Sequence, residues 1–136
     1  MVQAQNKIVV HYQDGRILKG TTADFFPNKE RFHVNQIDAP VGSKPVEVLI
    51  SQLKAIFFVK DYKGQPERDD KQEFDPSKPP MGRKIRVRFI DGEEILGTTQ
   101  GYQAGRSGFF VIPADPNSNN ERCFIVAAAT QEVSLV

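Results

Sequence analysis

Tryptophan is absent from this chain of 136 residues, cysteine occurs once, and histidine and methionine occur twice each. A single cysteine closes no internal disulfide, and Cys123 sits in the apolar run RCFIVAAAT, where a thiol packs as a small hydrophobe. His11 and His33 have no cysteine or carboxylate at ligand spacing beside them, which argues against a metal site. Nor is there a long apolar run: no stretch approaches the roughly 18 residues a membrane-spanning helix needs, and MVQAQNKIVV lacks a basic region followed by an apolar core. The expected setting is cytoplasmic, with no membrane partner. Charge of one sign is missing too. Lys plus Arg number 18 against 17 Asp plus Glu, a formal charge of +1, so no bulk electrostatic attraction toward nucleic acid or anionic lipid is expected.

Catalytic patterns are equally sparse. No glycine-rich loop leads into a helix to cradle phosphate, because DGEEILG runs into a strand. Ser107 in AGRSGFF follows Gly105, but Phe109 stands where a nucleophile elbow needs its second glycine. Asp14 and Asp91 each precede a glycine, the position where an aspartate side chain caps a tight turn, and they read as turn residues rather than an acid–base pair. The expectation is a non-enzymatic protein without cofactor.

What the chain does have is a repeat. Residues 7 to 59 align with 84 to 136 at an offset of 77 without a gap. Identities fall at Lys7/Lys84, Ile8/Ile85, Val10/Val87, Asp14/Asp91, Gly15/Gly92, Gly20/Gly97, Thr21/Thr98, Thr22/Thr99, Phe32/Phe109, Val34/Val111, Asp38/Asp115 and Val59/Val136. These are residues that a strand core and a tight turn require. His11 faces Arg88 and His33 faces Phe110 in this alignment, so no histidine site is duplicated.

Each copy reads as short strands of period two. Ile8, Val10 and Tyr12 alternate with Val9, His11 and Gln13 before an Asp-Gly turn, and Ile85, Val87 and Phe89 repeat the pattern. Further strands are expected at RFHVNQI and GFFVIPA, PVEVLIS and RCFIVAA, AIFFVK and EVSLV, with QLK and ATQ as short 3₁₀ turns. Without an amphipathic helix, this pattern predicts an all-β protein of two tandem five-stranded small barrels, over 1–59 and 84–136, joined by a charged, proline-containing linker over 60–83. The strand order resembles SH3-like and Sm-like barrels. The phrases NKERFHV, LKAIFFVKDY and GFFVIPADPNSNNERCFIV are similar to an uncharacterised bacterial family of tandem small β-barrel proteins covering nearly the whole chain. That resemblance implies no known activity.

A barrel of about 50 residues buries little core by itself, so the copies are expected to pack together or self-associate. Apolar residues of outward parity mark where: Ile90, Leu96, Phe110 and Ile112 in the second copy, Val9, Ile17 and Phe57 in the first. The expected function is therefore a binding or adaptor protein whose partner is another protein or a second copy. The alternative is RNA binding by Sm-like barrels, with Arg83, Lys84, Arg86 and Arg88 supplying charge and the loop of Phe25, Lys29 and Arg31 supplying a stacking platform. A PilZ-like cyclic-dinucleotide receptor is the remote third, since no two arginines stand four residues apart ahead of a first strand and RSGFF lacks the preceding Asp or Asn.

Overall fold

A computed structural model of the chain describes residues 6–60, 82–99, 102, 105–114 and 119–135. Most of the expected linker lies outside the described residues, as do Asp115 and Val136 of the repeat alignment.

The described residues are all-β. Strands β1 (Asn6–Tyr12), β2 (Ile17–Thr22), β3 (Arg31–Gln36), β4 (Val46–Leu49) and β5 (Leu53–Val59) precede the linker. Strands β6 (Arg83–Phe89), β7 (Glu94–Thr99), β8 (Gly108–Pro113), β9 (Asn120–Val126) and β10 (Thr130–Leu135) follow it. The starts of β1, β2, β3 and β5 recur 77 residues later in β6, β7, β8 and β10. The 3₁₀ turns span Ile50–Gln52 and Ala127–Ala129, two residues ahead of the expected segments. The shift has a cause in the first copy: Leu53 is fully buried at the start of β5, so the turn must be complete before it.

Two hairpin tips follow the expected chemistry. The Arg16 amide donates to Asp14 Oδ1 (3.0 Å) and the Glu93 amide to Asp91 Oδ1 (3.0 Å). Gly15 and Gly92 take the left-handed backbone those turns need, at φ 96° and 94°.

The strands form one antiparallel sheet in the order β10-β6-β7-β8-β9-β5-β1-β2-β3-β4. Two separately closed barrels, each needing its fourth and fifth strands to pair, are not what this order describes. A strand has two edges, and β5 gives one to β1 and the other to β9, while β9 gives its two to β8 and β5. Neither has an edge left with which to close its own half.

The burial pattern explains this choice. Strands β1 and β6 alternate, burying Ile8 and Val10, or Ile85, Val87 and Phe89, with the half-buried Val9 between in β1 and the exposed Arg86 and Arg88 between in β6. In contrast, β5 is buried continuously from Ala55 to Val59, and β9 from Cys123 to Val126. A strand apolar on both faces is satisfied only where both faces are covered. One core gathers Ile8, Val10, Phe32, Val34, Ile56 and Phe58 with Phe124 and Val126 of β9. The other gathers Ile85, Val87, Phe89, Val111, Cys123 and Ile125 with Ala55, Phe57 and Val59 of β5. The cores lie on opposite faces of the central pair.

The outer parts of the sheet curl tightly, and the repeated glycines permit it. β2 pairs with β1 at six positions but with β3 only at Gly20↔Gln36 and Thr21↔Asn35. A Cβ on Gly20 would run into the Asn35 carbonyl, and one on Gly97 into the Ile112 carbonyl. Thr99, buried beside this bend, donates its hydroxyl to the Phe110 carbonyl at 2.8 Å. Replacing Gly97 by Ala should therefore lower the unfolding free energy by about 2 kcal/mol or more, as in overpacked cores. Urea denaturation measures it, and a loss below about 0.5 kcal/mol would show that β7 and β8 are not held this closely.

Candidate functional site

The densest concentration of side-chain chemistry lies where β5 meets β9. In their register Ala55 pairs with Ile125, Ile56 with Phe124, Phe57 with Cys123 and Phe58 with Arg122. Because alternate residues point to opposite faces, Phe124 enters the core of the first half and Phe57 that of the second. Each half is sealed by the other's strand.

On the first face the seal is aromatic. Phe25, from the loop after β2, stands edge-on to Phe32 (5.1 Å between centroids), Phe124 (5.1 Å) and Phe110 (6.2 Å). Phe110 in turn meets Phe124 at 5.2 Å. Edge-to-face contacts of this kind favour ordered packing beyond simple burial. Arg122 closes the group, its guanidinium 4.3 Å from the Phe58 ring centre and 4.9 Å from that of Phe110.

On the second face the seal is electrostatic. Lys54, at the start of β5, reaches the β6–β7 hairpin tip, with Nζ 2.7 Å from Asp91 Oδ2 and 3.0 Å from Glu93 Oε1. The same ammonium lies 4.7 Å from the centre of the Phe89 ring. Burial by itself would lower the Lys54 pKa, but the two carboxylates outweigh it and hold it above the ordinary value. The Asp91 carboxyl is held below its ordinary value, chiefly by the hydrogen bond from Lys54. His11, half-buried and edge-on to Phe57 at 4.7 Å, is pushed down by burial and then by the Lys54 charge, with Glu93 and Asp91 pulling the other way.

The apolar residues expected to form an interface divide between this junction and the surface. Val9, Phe57 and Phe110 pack against the two cores, and Leu96 is buried. Ile17, Ile90 and Ile112 stay exposed, at 56%, 66% and 46%. Ile17 borders an open groove of about 640 Å³ between β2 and the loop carrying Ile37, Asp38 and Pro40.

The expected nucleic-acid residues are not brought together. Arg83, Arg86 and Arg88 are exposed along β6 and Lys84 is half-buried, with β7 and β8 lying between this strand and β9, where Phe25 packs. The aromatic half of that grouping is thus committed to the core, because the loop must cover the open side of Phe32 and Phe124. Arg88 is 2.6 Å from Glu94, and Arg31 is 3.2 Å from Glu47. Lys29 rests over the exposed Phe26 at 4.8 Å.

Several residues of this junction carry no motif. Asp24 accepts the His33 amide (2.9 Å) and lies 2.7 Å from His33 Nδ1, so His33 does have a carboxylate beside it, nine residues away in sequence. Burial would raise the Asp24 carboxyl, but the His33 amide and ring and the Thr22 hydroxyl together hold it below its ordinary value. For Lys54 there was a signal: a lone cation inside the apolar strand LKAIFFV requires a nearby anion. Among the described residues no group of three or more His, Cys, Asp or Glu is placed to hold a metal ion, and no helix is long and apolar enough to cross a membrane.

Residues 4–136 match a family described as a family of unknown function, DUF6982. The chain belongs to this family. No curated protein matches the chain, and no solved structure matches it.

Two outcomes follow for the junction. Phe110→Ser should cost about 2–4 kcal/mol, as expected for emptying a packed aromatic site, whereas Ile112→Ser on the surface should stay within about 0.5 kcal/mol; equal losses in chemical denaturation would contradict this placement. For His11 the folded pKa is lowered, so the unfolded chain binds the proton first as pH falls. Its contribution is complete above the unfolded value and is lost as pH drops from there toward the folded one. His11→Phe should therefore lose less stability than the parent protein between about pH 7.5 and pH 5.5, by denaturation at both pH values.

Proposed function

We propose that this chain is a non-enzymatic protein-binding adaptor of bacterial origin, working in the cytoplasm and built from two SH3-like or Sm-like units that arose by duplication. The observation that carries this reading is the open sheet. Among the described residues β4 and β10 each have one strand neighbour, so each presents a second row of main-chain donors and acceptors. An extended segment of a partner can add to such an edge, with backbone hydrogen bonds supplying affinity and alternate side chains supplying selectivity. Glu47 on β4 and Glu132 on β10 favour a partner strand with basic or small polar residues opposite them. The 77-residue repeat and the fivefold strand pattern of each half support descent from one small barrel.

Nucleic-acid binding ranks second. It would have to work with Arg88 and Arg31 already beside carboxylates and with Phe25 inside the aromatic cluster. A cyclic-dinucleotide receptor ranks below it. The test is selection of extended peptides from a displayed library on the immobilised protein, followed by amide hydrogen exchange. Selected peptides should slow exchange in β4 or β10. Failure to select any peptide, or protection elsewhere only, would overturn the proposal, and salt-sensitive retention of labelled RNA would favour the second reading.

A further inference from the structure

Among the described residues, the two sheet edges, β4 and β10, are the unpaired counterparts of the two strands joined at the centre. At the 77-residue offset, Val46–Leu49 of β4 corresponds to Cys123–Val126 of β9, and β10 corresponds to β5. The central β9–β5 pairing thus joins a fourth-strand edge to a fifth-strand edge, and the sheet ends with one of each. β4 of one copy and β10 of another could extend the sheet head to tail in the same register.

In that register each face of the pairing would carry a polar residue opposite an apolar one. The residues turned toward each half's own core remain apolar: Val46 and Val48 stand for Cys123 and Ile125, and Val133 for Ile56. Of the residues that would enter the neighbouring half, Leu49, standing for Val126, is apolar and the other three are polar. Glu47 stands for Phe124 and would lie opposite Val133, Glu132 stands for Ala55 and would lie opposite Val48, and Ser134 stands for Phe57. Phe124, Ala55 and Phe57 are all buried at the central junction, at 8% exposure or less. An ionised carboxylate carried into such a site loses its water. Glu47 now lies exposed beside Arg31, and Glu132 is exposed as well.

We infer that a head-to-tail interface between copies of this chain is built into β4 and β10 and is kept shut by Glu47 and Glu132. Charged residues on a sheet edge are a general defence against uncontrolled strand addition. Here they stand at positions corresponding to apolar residues of the central pairing. The free edges therefore remain accessible to a partner strand while copies of the chain stay apart.

The test mixes two full-length variants. Glu47→Phe opens one edge, and Glu132→Ala with Ser134→Phe opens the other. By sedimentation velocity the parent protein should remain monomeric over the micromolar range. The two variants together should form a heterodimer about tenfold tighter or more than either variant's self-association, with new amide protection in β4 of the first and β10 of the second. A parent protein that already assembles, or a mixture no more associated than its components, would overturn the inference. If the phenylalanine variants lose their native circular dichroism, Glu47→Val and Glu132→Ala in separate chains make the same opening with less bulk, and the same two outcomes decide.

Discussion

The pairing of β5 with β9 is the constraint on which the rest of this structure depends. Both strands are apolar on both faces, so water is excluded only if a core lies on each side and a strand along each edge. The pairing meets all of these conditions at once. It consumes the edges that would have closed each half, places a core above and below, and makes the stability of each half conditional on the other. A fully buried Phe or Ile side chain contributes about 1.5–3 kcal/mol, and Phe124 and Ile125 send that contribution to different cores. The Phe25–Phe110–Phe124 cluster with Arg122, and the Lys54 ion pairs, are secondary features arranged around this line.

The strand pattern that recurs at the 77-residue offset is used twice with different boundary conditions. Residues that shape each half are kept: Asp-Gly at the hairpin tips, and Gly20 and Gly97 where β2 and β7 bend against the next strand. Residues that face outward have parted company according to position in the assembled sheet. Phe57 and Phe124 occupy the centre, while their counterparts Ser134 and Glu47 occupy the ends. No pair of catalytic groups follows the repeat.

Much of the fold was legible in the sequence because its signals are local. Period-two alternation in KIVVHY and KIRVRF, glycine after aspartate, and turn-rich connections depend on neighbours in the chain, and the strands stand where those signals place them. The continuous apolar runs AIFFV and CFIV also announced two-sided burial. They did not say against what. A strand buried on both faces can be covered by a second chain, by its own barrel or by the other half, and nothing local separates these. For the same reason Phe110 and Ile112, of similar apolar character two residues apart in β8, could not be told apart, although one joins the aromatic cluster and the other faces solvent. Asp24 and Arg122 were invisible because their partners come from other elements, meeting only after the sheet has formed.

The amino-acid sequence by itself determined the all-β character, the strand positions and the turns, since each rests on residue type and short-range spacing. Only the tertiary structure decided that the ten strands make one open sheet, that β9 pairs with β5, and that Lys54 finds its anions in the other half. The reason is that a strand's backbone edge is equally ready for any partner. Which one it takes depends on how the whole chain can bury Phe57, Phe58 and Phe124 together.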